Sequence, residues 1–262
     1  HLDMTASRST DIVASKAYVG LDFGSSNSAV ATTSAVEIET YRTDIRDEGW
    51  LELTELAEKL PTPVAEPLAL YIAESGEISA RTNRARQTIE CSISMLIAAA
   101  IAESEIVFSQ KNGGPKHAIK SFKTAKVSAG PLWAALRNYH TMLKNRATFT
   151  SPAWTLFSEK LSPVIDKAVS VIGECKHDKI DPGSFDWNPA LVAIGNAVRQ
   201  VYNQVEFGFF LNPSRRAGVC SATFRKLHGT GYGDSGRELR LSEIPDDLQP
   251  YLVSRTSDLA VP

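Results

Sequence analysis

The chain has 262 residues, 43% of them hydrophobic and 22% charged, so it can bury a core of one large or two modest domains and is neither a disordered chain nor a disulfide-stapled miniprotein. Its 28 Lys and Arg against 30 Asp and Glu leave a net charge of −2, without the basic excess that bulk phosphate binding would use. Cys91, Cys175 and Cys220 are widely spaced and odd in number, which fits a reducing, cytoplasmic setting better than a disulfide framework, and the longest apolar run, Met95–Ala102, is far short of the ~20 residues that span a bilayer.

In chain order, His1 to Lys16 is rich in Ser, Thr and Ala and reads as a tag remnant and lead-in over residues 1–16. Tyr18–Asp22, a polar turn and Ala29–Ala31 read as strand, turn, strand, and Val36–Tyr41 alternates as a third strand, giving an N-terminal β-meander. Asp44–Lys59 is an amphipathic helix ended by Pro61 and Pro63, and Leu68–Ala73 is expected to be a further strand. Arg81–Glu105 carries the strongest helical period, through Ile89, Ile93, Leu96, Ile97, Ala100 and Ile101. Asn112–Pro115 marks a turn, and Gly130–Arg146 a second helix.

Thr150 to Pro152 is the expected boundary between a first domain, 17–149, and a second, 150–262. The second is expected to be mostly helical, with helices over Pro152–Gly173 and Pro189–Val205 and an irregular tail from Leu239 to Pro262. The fold class is therefore mixed α/β with the strands concentrated before residue 125.

Several constellations could carry chemistry. Asp22-Phe23-Gly24-Ser25-Ser26-Asn27-Ser28 lies between two apolar runs. Glycine and small hydroxyl residues there let backbone N–H groups face a phosphate, and a carboxylate at the strand end can hold a hydrated divalent cation. The same residues also suit an ordinary β-hairpin turn. Gly231 to Gly236 contains G-x-G-x-x-G but has no evident strand before it or helix after it, so a loop is expected. Arg215, Arg216, Arg225, Lys226 and His228, with Phe224 among them, form a basic cluster that reads as a solvated face or a nucleic-acid contact. Cys175, His177, Cys220 and His228 match no familiar zinc spacing, and Asp178, Asp181 and Asp186 fail the calcium-loop pattern. An interaction module would instead use Trp154, Phe157, Trp187, Phe207, Phe209 and Phe210 as a partner surface.

The segment YVGLDFGSSNSAVA, from Tyr18 to Ala31, resembles the first phosphate-binding segment of the actin-like ATPase superfamily, most nearly its seventy-kilodalton heat-shock chaperone branch. Phe108–Phe122, with Lys120, is similar to the chaperone segment that brings a lysine to the γ-phosphate, and the helix from Gly130 to the one that follows it. The resemblance covers Tyr18 to Arg146, the first lobe only, and implies a truncated or divergent relative, since the second phosphate segment, D-x-G-G-[GT], does not occur. It implies ATP and Mg2+ as ligands. Asp22 would sit at the metal and its waters, Gly24, Ser25, Ser26 and Asn27 would cradle phosphate, and Lys120 would face the γ-phosphate or attacking water. Turnover, where it occurs, would be Mg-dependent ATP hydrolysis by in-line water attack. A protein partner is expected beside the nucleotide, and no membrane.

Overall fold

The structure is a computed structural model and describes residues 48–74, 76–108, 128–146, 148–175, 183, 185–241, 245, 250–254 and 260–261. Helices come first: α1 (Glu48–Lys59), α2 (Thr62–Ala73), α3 (Ile78–Phe108), α4 (Ala129–Leu143), a 3-10 helix (Ser151–Phe157), α5 (Ser162–Cys175) and α6 (Asn188–Tyr202). Five antiparallel strands follow: β1 (Val205–Arg216), β2 (Val219–His228), β3 (Gly231–Leu241), β4 (Pro250–Ser254) and β5 (Ala260–Val261), in the order β3-β2-β1-β4-β5. The mixed α/β class holds among the described residues. Among those residues no helix is long and apolar enough to cross a membrane, and all three cysteines are free.

The helices follow their apolar spacing. In α1, Leu53, Leu56 and Ala57 are buried, and Leu60 just beyond them is fully enclosed before Pro61 stops the helix. Pro63 sits in the first turn of α2, where its missing N–H costs nothing. Leu68–Ala73 is the end of that helix and not a strand: Val64, Leu68 and Tyr71 are buried at four- and three-residue intervals. Six apolar-rich residues cannot separate the two periods, whereas the prolines upstream are a helix-start signal.

The 31-residue α3, about 46 Å long, is the axis of the helical layer and packs against α2, α4 and α6. Three of its hydroxyls are satisfied locally, Thr88 Oγ1 donating to the Arg84 carbonyl, Ser94 Oγ to Glu90 and Ser104 Oγ to Ile101, each at 2.8 Å, while the buried Ser92 Oγ has no partner. Glu103 is 3% exposed; its carboxylate accepts the backbone N–H groups of Phe149 at 2.7 Å and Thr150 at 3.0 Å, and the Thr150 hydroxyl. Thr150, at the expected boundary, is thus itself buried and tied to α3. The apolar core runs without interruption from Leu53 to Leu252.

The C-terminal part differs most from expectation. The described residues from Val205 onward are neither mainly helical nor an irregular tail but almost all sheet, and Leu239 and Leu252, within the expected tail, are buried in it. Ala217 and Gly218, both at positive φ, close the β1–β2 hairpin in two residues. Asn212, φ 51, stands before Pro213 where the register shifts between Leu211 and Ser214, a bulge that accommodates a proline within a paired strand. Phe207, Val205 and Leu252 face the helical core, and Leu227 packs at its margin. The opposite face carries Phe210, Ala222, Phe224, Leu239, Tyr251 and Val253, a second cluster built from strands alone. Gly229 links sheet to helices, its N–H donating 2.8 Å to the Leu60 carbonyl.

Candidate functional site

The residues expected to hold phosphate and metal, Asp22, Gly24, Ser25, Ser26, Asn27 and Lys120, lie outside the described residues, as do the N-terminal meander and the Asn112–Pro115 turn. Cys175, Cys220 and His228 form no metal-holding group, and among the described residues no cluster of His, Cys, Asp or Glu does.

The other sequence candidates find definite places. Gly231–Gly236 is the first half of β3, paired to β2, and the strand runs straight on to Leu241 where a helix would have to start, which removes both the loop expectation and the dinucleotide geometry. Of the six aromatics expected at a partner surface, Phe210 is fully buried, Trp187 is 4% and Phe207 7% exposed and Trp154 is buried, which places these four in the core, while Phe157 and Phe209 are half-buried. Phe157 stacks on Trp133 at 4.7 Å and on His140 at 4.6 Å inside the α4–α5 cluster.

The basic cluster is divided by strand alternation. Arg215 and Arg216 are exposed at the far end of β1, and Arg225 is exposed while Phe224 beside it is core. Lys226 points to the other face, 4.0 Å from Glu206, which Arg237 also approaches at 3.0 Å. Register brings Arg240 opposite Ser221, Glu238 opposite Thr223 and Arg216 opposite Val219, so Arg216, Arg225 and Arg240 lie with Ser221, Thr223 and the acidic Glu238 on the face that farther along carries Phe207 and Leu227 against the helices.

The arrangement with the clearest chemical content was not visible in the sequence. A cleft of about 190 Å3 opens where the end of α2, the start of α3 and the residues before α6 meet, lined by Tyr71, Ile78, Arg81, Phe185, Asp186 and Trp187 among others. The short α2–α3 link sets Tyr71 against Arg81: Glu74 caps α2 and its Oε1 accepts the Gly76 and Glu77 N–H groups at 3.3 Å. The Arg81 guanidinium lies 4.5 Å from the centre of the Trp50 ring and 4.9 Å from that of Tyr71, and these two rings are themselves stacked. Arg81 Nη2 donates to Tyr71 Oη at 3.4 Å, and that hydroxyl donates to Asn188 Oδ1 at 2.8 Å. Burial raises the Tyr71 pKa, with the Arg81 cation opposing and the Asp186 charge adding to it.

Two donors there remain unused. Arg81 Nε and Trp187 Nε1 are buried without an acceptor. Among the described residues no carboxylate lies within ion-pair distance of Arg81. Asp186, exposed at the rim, uses Oδ1 to accept the Asn188 N–H at 3.1 Å. Nothing in the local sequence signals this site, because Trp50, Tyr71, Arg81 and Trp187 come from four separate segments.

A second polar hub is built on Asp166. Its Oδ1 accepts Trp133 Nε1 and Arg137 Nη2, both at 2.6 Å, and its Oδ2 accepts Ser162 Oγ at 3.1 Å. It acts as a clamp between α4 and α5.

No protein-family model, no curated protein and no solved structure matches this chain. The likeness to actin-like ATPases therefore rests on the segments around Asp22 and Lys120 alone.

Proposed function

We propose that the protein binds a nucleotide through its N-terminal segment, with Asp22 beside a hydrated divalent cation, Gly24, Ser25, Ser26 and Asn27 around the phosphates, and Lys120 facing the terminal phosphate. The observation that supports this reading is the ordered pair of segments: an apolar strand, D-F-G-S-S-N-S and a second apolar run, followed downstream by Lys120 and the helix now seen as α4. Isothermal titration of Mg–ATP into the full chain tests it. Micromolar binding that disappears in Asp22→Ala and weakens in Lys120→Ala is expected. No heat, together with no rise in melting temperature at saturating nucleotide, where linkage gives about 2.7 kcal/mol at a hundred times the Kd, would sink the reading.

One observation favours a second reading. Arg216, Arg225 and Arg240, exposed on one sheet face with Ser221, Thr223 and a single acidic residue, Glu238, suit the phosphates of a single nucleic-acid strand. Such binding would weaken steeply with salt and fall in Arg225→Ala and Arg240→Ala; salt-insensitive or absent binding removes it.

A further inference from the structure

We infer that the cleft at the start of α3 binds an amino-acid-like zwitterion, its carboxylate toward the Arg81 guanidinium and the Trp187 indole N–H, its ammonium toward Asp186. The site is separate from the one proposed for a nucleotide and does not depend on it.

The argument begins with what the cleft leaves undone. A half-buried guanidinium without a carboxylate has paid part of its desolvation cost, and its contacts with the rings of Trp50 and Tyr71 and with the Tyr71 hydroxyl offset only some of it. Arg81 Nε and Trp187 Nε1 are buried donors with no acceptor, and such groups are rare enough to call for an explanation. Trp187 is only 4% exposed, so bulk water does not serve its N–H. An oxyanion entering between these residues would meet a fixed cation and N–H donors at once, and a carboxylate matches the planar fork of Arg.

Charge then narrows the class. Asp186 lines the same cleft, so a ligand carrying two negative charges would be repelled, as would a cation by Arg81. A molecule with one charge of each sign, a short distance apart, satisfies both. Beside Thr82 and Gly183 the wall carries Ile78, Phe185 and the Tyr71 ring, an apolar surface that suits a hydrophobic side chain. A cleft of about 190 Å3 holds a group the size of a small metabolite.

The test uses the full chain, titrated calorimetrically with L-phenylalanine, L-leucine and glycine, and with N-acetyl-L-phenylalanine and phenethylamine, which lack the ammonium and the carboxylate respectively. At least one of the three amino acids is expected to bind saturably, with the two truncated probes about tenfold weaker or worse, as loss of a charge-assisted hydrogen bond requires. Asp186→Asn, which keeps an acceptor for the Asn188 N–H, should weaken the amino acid about tenfold and leave N-acetyl-L-phenylalanine unchanged. Trp187→Phe, which keeps an aromatic ring, should weaken both. Far-UV circular dichroism and melting establish that each variant is folded. Absence of saturable binding by all three amino acids to the folded chain overturns the inference, as does N-acetyl-L-phenylalanine binding as tightly as phenylalanine, or an affinity untouched by Asp186→Asn.

Discussion

Asp166 shows how a single side chain is placed by its neighbours. Burial pushes its pKa up, but the hydrogen bonds from Trp133 and Ser162 and the adjacent Arg137 cation outweigh that and hold it below its ordinary 3.8. A depressed carboxylate pKa contributes stability that is present above 3.8 and is lost as pH falls through the lowered folded value. Thermal melts of the native chain from pH 6 downward should therefore show an acid-sensitive component that Asp166→Asn diminishes. An acid profile unchanged in Asp166→Asn would mean that the clamp is not formed. Removing the acceptor altogether in Asp166→Ala strands the nearly buried Trp133 N–H, at a cost of about 1–3 kcal/mol readable by urea denaturation. The thiol of Cys91 moves the other way: burial, then the charges of Glu90 and Glu66, push it up to about 12, which makes it a poor nucleophile.

Among the elements, the sheet is held by close backbone approach as much as by side chains. A Cβ added to Gly208 in β1 would lie 2.1 Å from the Arg225 carbonyl oxygen and 2.8 Å from the Phe224 ring. Backbone cannot give way as a side-chain tip can, so Gly208→Ala should cost at least 1–3 kcal/mol and unpair β1 from β2 locally. Gly195→Ala, whose Cβ meets only the movable Leu56 methyl at 3.1 Å, should cost much less. Equal losses of stability in the two variants would contradict this packing. The helices other than α2 were legible in the sequence through their three- and four-residue apolar spacing: Leu191, Ile194, Val198 and Val201 in α6, and Ile89, Ile93, Leu96 and Ala100 in α3, although α3 is buried on every side from Ser92 to Ile97. The strands were not, because β1 is buried on both faces at Phe207 and Phe210 and loses the alternation that identifies a half-exposed strand. Arginines and glycines in β2 and β3 then disguised them as a basic loop. The cleft was illegible for a different reason, since its polar residues meet only after α2, α3 and the residues before α6 have packed.

The whole molecule is joined by contacts distant in sequence. Glu103 holds the Phe149–Thr150 turn, Tyr202 at the end of α6 donates to the Met95 carbonyl at 3.0 Å, and Phe207 and Leu252 carry the helical core into the sheet. Helical and sheet signals should consequently melt together, with far-UV and near-UV circular dichroism giving one midpoint. Phe207→Ala should lower that midpoint for both, costing about 3–5 kcal/mol. A sheet signal that survives the loss of the helices would show the strand-only cluster around Phe210 to be stable by itself.

The β1–β2 and β2–β3 hairpin turns are unequal in what they allow an experimenter to attach. Ala217-Gly218 projects into open space: a Cβ at Gly218 would touch nothing within 4 Å, and because its φ of +83° disfavours a side chain, an attachment goes through the neighbouring Ala217. Gly229 gives its N–H to the Leu60 carbonyl, and a Cβ there would stand 3.2 Å from the Glu58 carbonyl oxygen. A fluorophore or short epitope grafted at the first turn would report on the protein from outside; the same graft at the second would pry the sheet from the end of α1.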